Sequence, residues 1–197
     1  MKMQTKIIDY VEKFVNLTDE EKTELVLAFK SVKVKKRQLI IQPDFITKHR
    51  NYVVKGAFRA YVVNDEGQDI TIQFAIEDWW ISDYVSFLLQ EPATMFVIAL
   101  EDSVLLQLNY EEEQKLKKAS HNFETFFRIH AERAAVLLQI RIILNLTCSA
   151  EERYEKFIGK YPEIAQRVPQ YALASYLGIT TQFLSKIRSQ RMKKGKS

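Results

Sequence analysis

The sequence predicts an α+β chain: an N-terminal β-rich domain closed into a roll, barrel or sandwich, a long dimerisation helix, and a small all-α C-terminal module built on a helix-turn-helix. Three observations lead there. Between residues 31 and 108 apolar residues recur with period two in short runs broken by turn residues. From about residue 109 to 146 the period becomes helical and stays helical for longer than one small domain needs. From Gln166 onward there are seven basic residues and no acidic one, around two helical patterns that meet at a single glycine, Gly178.

Taking the elements in order, helices are expected over Lys6–Val15 and Thr18–Phe29. Thr18 and Glu21 have the spacing of a capping box, in which hydroxyl and carboxylate each satisfy an amide of the helix start. Four β-rich runs follow, "VKVKKRQLIIQPDF", "NYVVKGAFRAYVVND", "QDITIQFAIED" and "MFVIALEDSVLLQLN", parted by Pro43-Asp44, Asp65-Glu66-Gly67 and Glu101-Asp102. "ISDYVSFLLQEPAT", Ile81 to Thr94, interrupts them as a short helix and loop. Asn109 is placed to cap the long helix, with Glu111, Glu112 and Glu113 at the positive end of its dipole. Leu116, Ala119, Phe123, Phe126, His130, Arg133, Leu137, Ile140 and Leu144 fall on an alternating three–four step, a heptad seam with two polar interruptions, of which Leu116, Phe123, Phe126, His130, Leu137 and Leu144 are taken as the dimer contacts. Unbroken, that helix would run roughly 55 Å, and such a length predicts a second copy of the chain as partner. Ser149 and Glu152 form another capping box, so residues 147–149 read as a hinge. The domains are therefore 1–146, with the dimer helix at about 109–146, and 147–197.

Composition narrows the chemistry. Apolar residues make up 47% of the 197 and aromatics 12%, enough for a substantial core. No run approaches the roughly 18 to 20 apolar residues of a membrane span, and the N-terminus lacks the apolar region of a secretory signal. A cytoplasmic location without membrane partners is expected. The lone Cys148 can form neither an internal disulfide nor a metal cluster by itself. His49 is the only histidine between residues 31 and 108, so no paired histidines mark a metal enzyme on the roll. Phosphate-binding loops, nucleophile elbows and dinucleotide fingerprints are also missing. No catalytic residue, metal or cofactor is expected, and the chain is read as a non-enzyme.

The net charge of +4 hides an asymmetry: residues 149–197 carry +6, leaving −2 on residues 1–148. A basic module joined to a mildly acidic one suggests a polyanion partner. The segment "YALASYLGITTQFLSKIRSQR" supplies the means. Leu173, Leu177, Ile179, Leu184 and Ile187 can converge on one small core, Ala174 lets two helices cross closely, and Gly178 permits the positive φ of a tight turn. The second helix, capped by Thr180, then turns Thr181, Gln182, Ser185, Lys186 and Ser189 outward. Gln pairs bidentately with adenine, Lys donates to guanine, and Ser or Thr serves base or phosphate. Arg188, Arg191, Lys193 and Lys194 suit phosphates, and Gln170 and Tyr171 can donate to the backbone from the first helix. Double-stranded DNA is the expected partner.

The order β-roll, long helix, helix-turn-helix resembles the Crp/Fnr family of bacterial transcription regulators over nearly the whole chain. "YVVKGAFRAYVVNDEGQDITIQF" is similar to its strand–Lys-Gly–strand–turn run, and "RVPQYALASYLGITTQFLSKIR" to its DNA-binding motif. The resemblance implies a double-stranded β-helix (jelly-roll) domain of the cyclic-nucleotide-binding type, and a winged-helix-like reading head whose wing is short or absent. It also implies a homodimer on a palindromic site, an effector held in the roll, and RNA polymerase as a further partner. The departures are specific. Ser82 and Asp83 stand where the family's phosphate cassette has Gly-Glu, and Ala93-Thr94-Met95 where it has Arg-Ser-Ala. Asp83 could take a ribose hydroxyl and Thr94 a phosphate oxygen, but the cassette's arginine is missing. Cyclic AMP is therefore not the expected effector, and the effector's identity stays open. Trp79, Trp80, Phe74 and Phe87 read first as core and inter-domain packing, with the lining of an apolar effector pocket as the alternative. The competing reading is an effector-binding adaptor without sequence-specific DNA recognition.

Overall fold

The structure, a computed structural model, describes residues 5–194, with side chains to residue 191. The side chains of Lys193 and Lys194, named above as phosphate contacts, lie outside the described residues. Eight strands form two four-stranded antiparallel sheets. In the first, β1 (Phe29–Val34), β8 (Ser103–Asn109), β3 (His49–Lys55) and β6 (Trp80–Ile81) lie side by side. In the second the order is β2 (Leu39–Ile41), β7 (Phe96–Ala99), β4 (Phe58–Val63) and β5 (Asp69–Ala75).

The period-two pattern sorts the strand residues as expected. Val34, Ile41, Val53, Phe58, Val97 and Leu105 are buried together between the sheets. Tyr52, Leu106 and Leu108, one position out of phase, face a helical layer instead. Gly56 closes the β3–β4 turn at φ +107°, and a Cβ there would come within 2.0 Å of the Ser103 hydroxyl. Only glycine fits that position.

The helical layer consists of α1 (Thr5–Val11), α2 (Asp19–Ala28), α4 (Tyr110–Ala119) and the start of α5 (His121–Thr147). The short α3 (Tyr84–Leu89) stands between β6 and β7. The Thr18–Glu21 capping box is formed in both directions, and Asn109 caps α4 by accepting from the Glu112 amide at 2.8 Å.

Two expectations need correction. The long helix is not continuous, because Ser120 leaves the helical region at φ −149°, ψ 137°. Serine competes for backbone partners inside a helix, and here its hydroxyl accepts from the Asn122 amide at 3.0 Å while donating to Glu21. The break lets α4 and α5 lie on the roll separately, and α5 alone runs about 40 Å. The seam also divides. Leu116, Phe123 and Phe126 are buried in the chain's own core, so no partner reaches them. His130 packs on Trp80, with ring centroids 5.2 Å apart, and hydrogen-bonds the Tyr84 hydroxyl at 3.0 Å. The apolar residues that α5 leaves exposed lie further along and include Val136, Leu137, Ile140, Ile143 and Leu146. Leu144 is half-buried. At about 100° per residue, Val136, Ile140 and Ile143 share a stripe, with Leu137 and Leu144 on its flank. Of the expected seam, Leu137 and Ile140 remain outward, and Val136 and Ile143 join Ile140 on the exposed stripe.

Burial pushes the His130 imidazole down to about 4, with Arg50 and Arg133 adding to the shift. The unfolded chain therefore takes up a proton that the folded chain refuses. Stability from this site is complete above about pH 6.5 and is lost as pH falls towards 4. Denaturant titrations at pH 7 and pH 4.5 should show a loss of about 2 kcal/mol that His130→Gln removes.

Beyond a break at Cys148, α6 (Ala150–Lys160), α7 (Pro162–Arg167), α8 (Gln170–Leu177) and α9 (Thr181–Lys194) form the C-terminal module. The Ser149–Glu152 box starts α6 in both directions.

Candidate nucleic-acid interface

Two helices, α8 and α9, meet at a tight turn around Gly178. Leu173, Ala174, Leu177, Leu184 and Ile187 are buried in one cluster, with Ile179 packed at its edge. Gly178 ends α8 in the left-handed conformation, φ 67° and ψ 37°. The Ile179 amide then reaches back to the Ala174 carbonyl at 3.0 Å, closing the turn. Thr180 caps α9 by accepting from the Phe183 amide at 3.2 Å. Phe183 is half-buried against the same cluster.

These contacts fix which side chains face out. Thr181, Gln182, Ser185, Lys186 and Ser189 are exposed along one side of α9, and Gln170 is exposed at the start of α8. Arg188 is half-buried and turns towards a groove between α9 and the α6–α7 pair. Arg191 is exposed but sits 3.4 Å from Glu155, a weak pair that a phosphate could displace.

The module is docked on the roll through β5, an edge strand of the second sheet. Ser175 of α8 closes that edge: its hydroxyl accepts from the Thr71 amide at 2.8 Å and donates to the Asp69 carbonyl at 2.6 Å. Arg141 of α5 donates to the carbonyls of Thr71 and Ile72, where the β4–β5 register shifts. Arg59 is buried; it pairs with Asp69 at 2.9 Å and lies between the rings of Tyr61 and Tyr171. Tyr171 is half-exposed, so one ring face is committed to Arg59. Phe74 meets Tyr176 and Trp79 meets Tyr161, which is the inter-domain packing expected of those aromatics.

Arg167 of α7 is held by Glu77 at 2.6 Å and by Glu101. Burial pushes the Glu77 carboxyl up, but Arg167 and the Gly56 amide outweigh it and hold the group at about 2. Sequence reasoning missed Arg59, Arg141 and Ser175. In "AFRAYVV" the period places Arg59 opposite the buried Phe58 and Ala60, a side normally read as solvent, whereas Tyr61, Asp69 and Thr71 of the roll and Tyr171 of the docked module surround it.

The effector cassette is occupied by its own side chains. Asp83 is fully buried and caps α3, accepting from the Ser86 amide at 3.0 Å and the Thr94 amide at 2.9 Å. The Ser82 hydroxyl donates to the His49 carbonyl at 3.0 Å, and Ala93 is buried. The structure therefore brings Asp83 and Thr94 together: the carboxylate expected to meet a ribose accepts from two backbone amides, and the exposed Thr94 holds its hydroxyl 3.5 Å from it. A buried carboxylate also repels an incoming phosphate. Cyclic AMP at millimolar concentration should leave the thermal midpoint unchanged, and a rise of several degrees would overturn this reading. Asp83→Ala should cost about 2 kcal/mol in urea denaturation, since it removes the cap of the buried Ser86 amide and the partner of the Thr94 amide.

Residues 31–120 match the family model described as a cyclic nucleotide-binding domain. Among solved structures, FixK2 from Bradyrhizobium japonicum is similar with a TM-score of 0.69 and 18% identity, covering 85% of this chain and 86% of that one. The c-di-GMP responsive global regulator CLP of Xanthomonas campestris reaches 0.72 at 10% identity, covering 90% and 93%. A protein from Eubacterium rectale described as a candidate transcriptional regulator of the Crp/Fnr family reaches 0.68 at 18% identity, covering 90% and 85%. No curated protein matches the sequence. At these identities the likeness is one of fold, and it spans both the roll and the helical module.

Proposed function

We propose that this chain, which has the Crp/Fnr fold with a cyclic nucleotide-binding domain at residues 31–120, is a cytoplasmic, homodimeric transcription regulator that reads a palindromic DNA site through α9. The observation that carries the reading is the outer side of α9. Thr181, Gln182, Ser185, Lys186 and Ser189 are exposed on the second of two helices joined by a tight turn, in a module without acidic residues from Gln166 onward. The dimer reading is supported by α5, whose apolar stripe at Val136, Ile140 and Ile143 is left 41–53% exposed by the described residues. Two such helices packed together would set a pair of reading heads about one duplex turn, roughly 34 Å, apart. Docking of α8 on β5 fixes the angle of each head relative to its roll.

The activity is regulation rather than catalysis, and RNA polymerase is the protein partner that a promoter-bound regulator would meet. The occupied cassette argues against control by cyclic AMP. The test is binding to duplexes selected from a random pool. Lys186→Ala should weaken binding to the selected site by about 10- to 100-fold and relax the preference at one position per half-site. Equal binding by the variant would remove α9 as the reading helix. Selection that enriches no duplex at all would favour the adaptor reading.

A further inference from the structure

The helical module holds a groove of its own, about 260 Å³ in volume, between α9 and the α6–α7 pair. Ile158 of α6, Pro162 and Ala165 of α7 and Leu173 of α8 give it apolar walls, and Arg188 and Arg191 stand on its α9 side. No acidic side chain borders it. Its volume falls just below the usual range for drug-sized ligands, about 300–1,000 Å³, so an occupant has to be small.

The two arginines differ in how they are held. Arg191 is exposed and forms only the weak pair with Glu155 at 3.4 Å. Arg188 is half-buried, yet it has neither an ion pair nor a hydrogen bond among the described residues. The other described arginines withdrawn from solvent to that degree all have partners. Arg50 has Glu113, Arg59 has Asp69, and Arg167 has Glu77. Arg141 donates to the Thr71 carbonyl and Arg153 to the Leu177 carbonyl. A guanidinium left unpaired beside apolar walls gains from a carboxylate that accepts from it bidentately. Tyr154 also borders the groove. It is 5% exposed, and its hydroxyl makes no hydrogen bond among the described residues. A phenol this far withdrawn from water normally has a partner.

These features set the chemistry of the occupant. Two cations without a carboxylate beside them on the lining select an anion. The four apolar side chains select hydrocarbon next to that anion, which a bare inorganic ion lacks.

We propose that this groove binds a small organic carboxylate, with an aromatic or branched aliphatic body against Ile158, Pro162, Ala165 and Leu173. Arg188 receives the carboxylate, and Arg191 and the Tyr154 hydroxyl are further donors to it. The site is independent of the DNA reading, since its occupancy is measured without a duplex.

The experiment titrates 3-phenylpropionate into the full chain and follows backbone amides by two-dimensional NMR. The comparison ligands are 3-phenylpropanamide, the same body without the charge, and acetate, the charge without the body. Saturable shifts are expected at Ile158, Ala165, Gln166 and Arg188, with a dissociation constant on the order of 1 mM. The amide and acetate should each bind at least about fivefold more weakly. Arg188→Gln keeps a good helix former, removes the cation and should weaken 3-phenylpropionate by about 10-fold, to the level of the amide. Ala165→Leu, at a half-buried position, should fill the groove and abolish the shifts while the rest of the spectrum is retained. The proposal is overturned if 3-phenylpropionate produces no saturable shift at these residues. It is equally overturned if the amide or acetate binds as tightly, or if either folded variant binds the carboxylate unchanged.

Discussion

Replacing Ile140 and Ile143 together with Asp should convert a dimer into a folded monomer and weaken binding to a palindromic duplex by at least about a thousandfold. The physical ground is the exposure of the second half of α5. Val136, Leu137, Leu138, Ile140, Ile142, Ile143 and Leu146 are each between 41% and 80% exposed. A helix apolar on this many sides is stable in water only when covered. Charges placed on the outward stripe meet their own symmetry mates across a two-fold axis, which adds like-charge repulsion to the lost burial. The roll should be unaffected, because neither residue belongs to the core built by Phe123, Phe126 and Phe127. Sedimentation and duplex binding measured on the same sample check both halves of the expectation. A double variant that remains dimeric would move the interface elsewhere.

Glu113→Ala should be among the most destabilising single changes in the roll, at about 3–5 kcal/mol. Glu113 is fully buried and receives Arg50 Nη2 at 3.1 Å and Lys117 at 2.7 Å. Arg50 is buried too, with the rings of Tyr84, Phe87 and Phe127 within 5.0–5.3 Å of its guanidinium carbon. Those rings attract the cation, but they cannot replace a carboxylate. Removing Glu113 strands a charge where α3, α4 and α5 meet β3. Converting Arg50 and Glu113 together to Leu should cost less than Glu113→Ala alone, because the fully buried guanidinium is then not left behind and only the partly exposed Lys117 loses its partner. Urea denaturation of the three proteins decides it, and a loss below about 1 kcal/mol for Glu113→Ala would contradict the assignment.

Much of this architecture was legible in the sequence, for local reasons. The capping boxes at Thr18 and Ser149 close as read, since each depends only on residues three apart. The roll follows from alternation, and the turn at Gly178 from the one residue type that tolerates its backbone. What escaped was set by long-range contact. Ser120 breaks the long helix because Glu21, far away in sequence, is there to receive it. Phe123 and Phe126 fit a heptad seam equally well whether a partner or the chain's own roll covers them, and periodicity cannot distinguish the two covers. The latch of Arg59, Arg141 and Ser175 on β5 was unreadable for the same reason. At the cassette, residue types suggested Asp83 and Thr94 as ligand contacts, whereas the fold turns each towards the other.

The central claim is that this chain binds duplex DNA through the basic C-terminal module that carries α9 and has no acidic residue from Gln166 onward. Equilibrium binding to a selected palindromic duplex, followed as salt is raised, tests it most directly. The expected result is two chains per duplex, with an affinity that falls linearly on a log–log scale at a slope of about −4 or steeper, as phosphate contacts release counterions. An affinity indifferent to salt, or no duplex bound at all, would contradict it.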